Sequence, residues 1–242
     1  MTTASREDSA TPTLAAVPGV ITQAFATPVA RISYPLAQEF NGSVAELVLG
    51  KSAEVDNKFT YKSETAADMT TWGEPLIDNL TAWVVKMARQ FVETVTGRTL
   101  DEAFADSAAH DRDTYNSTDE SAGRRTVSVV ATRSWASVYR RGDNHAAHFH
   151  PNTAMAAIYY VESPGTCELD LIDPRPNIDY FDPGMSFAGE GHNLRLRCEP
   201  GDLVLFPGWL KHSVPTFDGD SVRISLSWNL RYATRAAPPR RS

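Results

Sequence analysis

Cysteine is scarce: Cys167 and Cys198 are the only two in 242 residues. That is too few for a disulfide framework or a cysteine-bound metal, and both read as reduced, buried thiols. Positive charge is short as well. A net charge of −7 argues against a general nucleic-acid binder, which carries a basic face, but leaves room for a small anion in a local basic pocket. No apolar run approaches the ~18 residues of a membrane span. The opening MTTASREDSATPTLAAVPGVITQ lacks a basic start, and Pro18 breaks its apolar stretch, so no targeting segment is expected. Repeats are absent too. With 42% hydrophobic and 22% charged residues, an ordinary soluble globular chain remains, long enough for one sizeable core. The cytoplasm is its expected location, with no membrane or nucleic-acid partner.

Composition and periodicity divide the chain. Residues 1–20 read as a disordered leader, 21–232 as one domain, and 233–242 as a basic, proline-containing disordered tail. Inside the domain a helical part, about 40–100, precedes a strand-rich core, about 126–232. ITQAFATPVARISYP predicts one or two short strands broken by Pro28 and Pro35. Asn41 and Ser43 predict the cap of a helix over SVAELVLGKSA. The clearest helix lies in EPLIDNLTAWVVKMARQFVETVTG. Pro75 suits its first turn, Leu76, Leu80, Trp83, Val84, Met87 and Phe91 form its core stripe, and Gly97 ends it. Residues 106–125 are polar and read as an exposed loop with a solvated His110. TVSVVATRSWASVYRR, MAAIYYVE, CELDLID, LRLRCE, DLVLFP and SVRISLSWNLRY then follow as strands between Gly- and Pro-rich turns. Helices followed by consecutive strands predict a mostly β fold, an antiparallel double-sheet roll with helices against one side.

Three of the six histidines, His145, His148 and His150, fall within six residues, just before the MAAIYYV strand. In an extended segment side chains two apart share a face, so His148 and His150 point together and His145 is out of phase. His-x-His alone also fits two hydrogen-bonded core histidines. The segment PGDLVLFPGWLKH supplies His212, and in a roll a late strand lies beside an early one. Three ligands on one side of a metal leave its other positions open. Downstream, Arg223 and Ser225 share a strand face. An arginine on a face built for burial needs an anion: either a carboxylate of the protein or, beside three candidate ligands, that of a bound molecule.

His148-Phe149-His150, His212 and Arg223-x-Ser225, in this order, resemble the iron- and 2-oxoglutarate-dependent oxygenases. More narrowly, HFHPN before YYV, Asp173-Pro174-Arg175, GDLVLFPGWLKH and RISLSWN resemble a family of bacterial and phage 2-oxoglutarate oxygenases. FATPV and PLIDNL extend the likeness over roughly residues 22–232. The resemblance implies a double-stranded β-helix, a cupin-like jelly roll. It also implies Fe(II), 2-oxoglutarate and O2, an iron site of His148, His150 and His212, and Arg223 with Ser225 on the cosubstrate carboxylate. By likeness to prolyl-hydroxylase-type members, Tyr160 would bond the distal carboxylate and Tyr139 would line the pocket. The expected reaction is hydroxylation of a C–H bond in a small or amino-acid-like molecule, with release of succinate and CO2. A homodimer is compatible with the sequence.

One departure matters: most of that superfamily has a carboxylate where this chain has His150. His150 either binds the metal, or stands behind it and leaves two histidines and water, or yields to a carboxylate such as Asp143 or Asp170. Halogenation is disfavoured, since an imidazole fills the space a halide needs. Two further readings stay open: a three-histidine cupin-type dioxygenase without 2-oxoglutarate, and a metal-dependent sensor of small anions. His145 is expected to hold the loop by hydrogen bonding. Asn144 and Asn152 fit turns, with substrate contact as the functional alternative for Asn152. Arg175 opens a long lid-like loop containing a solvated His192, and would meet an acidic substrate group or form a salt bridge. Trp209 is expected near the mouth, as wall or plug.

Overall fold

The protein is described from a computed structural model, over residues 26–53, 58–59, 62–64, 68–106, 125–165, 168–175 and 193–236. The predicted leader, most of the 106–125 loop, the lid-like segment from 176, Cys167, His110 and His192 lie outside these residues.

Two antiparallel sheets face each other. After β1 (Ala30–Ser33) come α1 (Ala37–Ala53), the short strands β2 (Lys58–Phe59) and β3 (Lys62–Glu64), and α2 (Pro75–Thr96). The remaining strands are β4 (Arg125–Tyr139), β5 (His145–His148), β6 (Met155–Glu162), β7 (Glu168–Ile172), β8 (Asn193–Arg197), β9 (Asp202–Pro207), β10 (His212–Val214) and β11 (Arg223–Ala236). The larger sheet runs β1-β9-β6-β11-β4-β3-β2 and the smaller β5-β10-β7-β8. This is the expected double-stranded β-helix with helices on one side. β11 continues to Ala236, four residues into the stretch read from composition as tail. No helix of the described residues is long and apolar enough to cross a membrane.

The helices cover the outer face of the larger sheet. Pro75 opens α2, and Gly97 closes it in the left-handed region at φ 67°, its N–H bonded to the Glu93 carbonyl. The buried stripe is centred on Ile77, Leu80, Val84 and Ala88. Leu76, Trp83, Met87 and Phe91 flank it and are partly buried. The start of α1 corrects the capping expectation. The helix begins at Ala37, which places Asn41 inside it and out of reach of any cap. There the Asn41 amide donates to the Val161 carbonyl at 3.0 Å and accepts from the Tyr159 hydroxyl at 2.6 Å. A partner 118 residues away outweighs local preference.

Successive tyrosines do point to opposite faces, but neither side meets water. Tyr159 packs under the helices and Tyr160 packs between the sheets, both fully buried. The second apolar cluster, between the sheets, includes Tyr160, Leu169, Phe206 and the buried thiol of Cys198. Burial pushes that thiol up to about 11, so it stays protonated.

Candidate metal and cosubstrate site

The site sits between the sheets, at one end of the roll. β10 pairs with β5, and His212 stands opposite His148. His150 arrives by another route. β5 ends at His148, so the extended-strand geometry that was to align His148 and His150 is corrected. His150 follows the strand in a turn, and its N–H donates to the Gly208 carbonyl at 2.9 Å. This ties the HFH turn to the turn preceding His212. Nothing larger than glycine fits at 208, where a Cβ would lie 2.3 Å from the Thr153 carbonyl oxygen.

Side-chain nitrogens of His148, His150 and His212 lie within 4.8 Å of one another. His148 Nδ1 meets the Ala146 carbonyl at 2.8 Å, and His212 Nδ1 meets that of Leu210 at 3.0 Å. A carbonyl oxygen only accepts, so each Nδ1 carries the proton and the lone pair lies on Nε2. Metal-binding histidines are oriented by just such contacts. Bonds of ~2.1 Å at right angles hold three nitrogens ~3 Å apart. The group therefore fits one ion after contracting by less than ~2 Å.

No carboxylate completes this group among the described residues. Asp170 is committed to Arg195 through both oxygens, at 2.7 and 2.8 Å. Asp143 accepts from the Arg140 N–H at 2.7 Å within its own turn. Neither supports the reading in which a carboxylate reaches in. His145 lies outside the three-nitrogen group but stacks on His148, ring centroids 3.8 Å apart.

Arg223 is 1% exposed. Its guanidinium lies between two rings, 5.1 Å from the centroid of Tyr139 and 5.3 Å from that of Tyr160. Nη1 donates to the Glu168 carbonyl at 3.3 Å, while Nε has no hydrogen-bond partner. No carboxylate of the described residues forms an ion pair with it, so the internal salt bridge weighed from the sequence is not made. A buried charge without a counter-ion is unfavourable unless something supplies one. The Tyr160 hydroxyl is buried nearby, also without a hydrogen bond of good geometry. Burial holds it well above the ordinary phenol range, despite the adjacent Arg223 charge, and the nearby Cys198 thiol adds to the rise. It is therefore a neutral donor. Ser225, buried at 4% exposure, is the Cα partner of Tyr160 on one side and of Ser137 on the other. Two orphaned donors and two hydroxyls on one floor suit a carboxylate.

Not every predicted residue joins. Tyr139, Arg223 and Ser225 line the cavity with the three histidines. Tyr160 borders it through Arg223. Asn152 is exposed at φ 54°, a turn residue outside the cavity lining. Arg175 pairs with Asp173 two residues away, the salt-bridge alternative. Trp209 is 54% exposed and lines no wall. Residues missed from the sequence are Ser137, Trp135 and Ser227, all on the cavity wall. Ser227 was within reach, being two residues beyond Ser225 on the same strand.

Residues 133–229 match the family model described as "Putative 2OG-Fe(II) oxygenase". The strand-rich core of this chain is similar to the 2OG-Fe(II) oxygenases. That family takes its name from 2-oxoglutarate and Fe(II). No curated protein matches the sequence. Among solved structures, AviO1 from Streptomyces viridochromogenes Tue57 aligns with a TM-score of 0.50 at 14% identity, over 88% of this chain and 92% of that one. The non-heme alpha ketoglutarate dependent carbocyclase SnoK from nogalamycin biosynthesis gives 0.54 at 9%, over 84% and 79%. The epimerase SnoN, in complex with Fe3+, alpha ketoglutarate and nogalamycin RO, gives 0.53 at 13%, over 86% and 82%. At such identities the likeness is one of fold. The 2OG-Fe(II) oxygenase match begins on β4 and ends on β11, so it spans the three histidines and Arg223 together.

Proposed function

We propose that the protein is a 2OG-Fe(II) oxygenase that hydroxylates a C–H bond of a small molecule, with His148, His150 and His212 as the iron ligands. Arg223, Ser225 and Tyr160 take the distal carboxylate of 2-oxoglutarate. The observation that carries this reading is the buried Arg223: a guanidinium with an unpartnered Nε, sharing a floor with the unpartnered Tyr160 hydroxyl and a cavity with three convergent imidazoles.

Bound iron with 2-oxoglutarate and O2 supplies the oxidising power: one oxygen atom goes to the substrate as R–OH, the other to succinate, and CO2 leaves. The chain supplies position. The carbonyls of Ala146 and Leu210 hold the proton of His148 and His212 on Nδ1 and aim Nε2 inward. Three neutral ligands leave the centre one charge more positive than a two-histidine, one-carboxylate set. The aromatic clamp of Tyr139 and Tyr160 fixes the Arg223 fork. Tyr160 and Ser225 donate beside it, and Phe206 and Val214 help keep water out of the closed end.

Succinate formation from 2-oxoglutarate, with anaerobically loaded Fe(II), tests the reaction against a substrate panel. Titration of Mn(II) and 2-oxoglutarate tests the residues. His212→Ala should abolish metal binding. Arg223→Ala should leave metal affinity within about threefold and weaken 2-oxoglutarate at least tenfold. Unchanged 2-oxoglutarate affinity in the arginine variant overturns the assignment.

A further inference from the structure

The inner floor of the roll is a ladder. On β11, Arg223, Ser225, Ser227 and Asn229 step along one face, while Ile224, Leu226, Trp228 and Leu230 lie in the core under the helices. Their partners across β4 are Tyr139, Ser137, Trp135 and Arg133. Four rungs result. The first two, Tyr139–Arg223 and Ser137–Ser225, belong to the proposed cosubstrate end. The third, Trp135–Ser227, lies beside the metal group, the Trp135 ring being 5.7 Å from that of His150. The fourth, Arg133–Asn229, lies beyond the residues that line the cavity and is left without a role.

Its chemistry is specific. Arg133 is exposed, yet its guanidinium lies 5.4 Å over the Trp135 ring, on the cavity wall. No carboxylate of the described residues pairs with it, in a chain of net charge −7. Asn229 Oδ1 is buried and has no hydrogen-bond partner. Facing residues in an antiparallel pair have Cβ atoms about 4.5–5.5 Å apart, so one small molecule reaches both. From Ser225 to Asn229 the strand advances about 13 Å, too far for the cosubstrate carboxylate to satisfy the fourth rung as well.

We propose that Arg133 and Asn229 grip the primary substrate, and that this substrate is amino-acid-like: a carboxylate for the guanidinium, with an N–H or O–H within about 5 Å of it for the Asn229 amide. The proposal rests on the cosubstrate occupying the first two rungs. It places the bond to be oxidised beside the third, next to His150.

The probes are N-acetyl derivatives of the protein amino acids and the matching N-acetyl carboxamides, titrated calorimetrically into enzyme loaded with Mn(II) and 2-oxoglutarate. At least one acid should bind tenfold or more tightly than its carboxamide. Arg133→Gln should erase that ratio, Arg133→Lys should restore part of it, and Asn229→Leu should weaken acid and carboxamide alike by about tenfold. Carboxamides binding as well as acids, no acid binding, or a ratio that survives Arg133→Gln overturns the proposal. Failure of the wild type to bind 2-oxoglutarate at all would instead sink the cosubstrate reading beneath it, so the two failures are separable.

Discussion

The two faces of the larger sheet treat buried polar groups in opposite ways. Under the helices every such group singled out here is answered. Tyr159 donates to Asn41, the Trp228 indole donates to Thr81 at 3.1 Å, and the Ser134 N–H and hydroxyl both reach Asp68. On the inner face the Tyr160 hydroxyl, Arg223 Nε and Asn229 Oδ1 are buried and unanswered. The one other such atom among the described residues, Ser163 Oγ, lies beyond the end of β6. Native cores leave few polar groups orphaned. Three on one face, interleaved along the same strands with satisfied or apolar neighbours, set that face apart and underlie the proposed ligand contacts. Stability is invested on the outer face and withheld on the inner one.

The sharpest break of this contrast is Arg223→Met. It removes a buried charge that has no counter-ion among the described residues and keeps the apolar bulk against Tyr139 and Tyr160. 2-Oxoglutarate affinity should fall about 100-fold, or about 2.7 kcal/mol, while the ligand-free protein should melt no lower than wild type. Calorimetric melting with and without 2-oxoglutarate reads both effects. A variant that melts well below wild type without ligand would mean that Arg223 is structural.

Asp68 is the outer-face counterpart. Burial raises its carboxyl, but hydrogen bonds from the side chains and N–H groups of Ser134 and Thr70 together outweigh that and leave it lowered. A folded-state value below the unfolded one stabilises above the unfolded pKa and is lost as pH falls through the folded value. Asp68→Ala should therefore cost about 1–3 kcal/mol near neutral pH, and progressively less below pH ~4. 2-Oxoglutarate affinity should stay within about twofold. Denaturant melts across pH check the sign: a deficit that grows on acidification contradicts it.

The same contrast explains what was legible in the chain. Arg223-x-Ser225 was legible because strand alternation is local, whereas the pairing of β5 with β10 that brings His148 to His212 joins remote segments and was legible only from the topology of a roll. The limits of β6 and β9 were read directly from MAAIYYVE and DLVLFP. Asn41 was misread because its partners, Tyr159 and Val161, are remote in sequence. His150 reaches the three-histidine group by a route that extended-strand geometry did not give. The turn that carries it depends on Gly208, whose close approach to Thr153 no local pattern reveals. Asn229 could have been found, since RISLSWN extends the Arg223–Ser225 face by two more steps. Arg133 could not: its place opposite Asn229 depends on cross-strand register beside a bulge at Asn229/Leu230.

The smallest effect discriminates best, because it compares two adjacent residues of one type. Tyr159 and Tyr160 are both fully buried, and removing either hydroxyl leaves the ring in place. Tyr159→Phe breaks a 2.6 Å bond and strands Asn41 Oδ1 inside the protein, so it should cost about 1–2 kcal/mol. It should not change cosubstrate affinity. Tyr160→Phe removes a hydroxyl that has no partner, so stability should change by less than about 0.5 kcal/mol or improve. Yet 2-oxoglutarate should bind about tenfold more weakly, since a neutral phenol donating to a carboxylate makes one of the stronger hydrogen bonds. Paired melting curves and 2-oxoglutarate titrations of the two variants decide the matter. If both lose stability alike and neither alters the titration, the orphaned groups on the inner face are incidental to packing, and the division of labour between the faces falls.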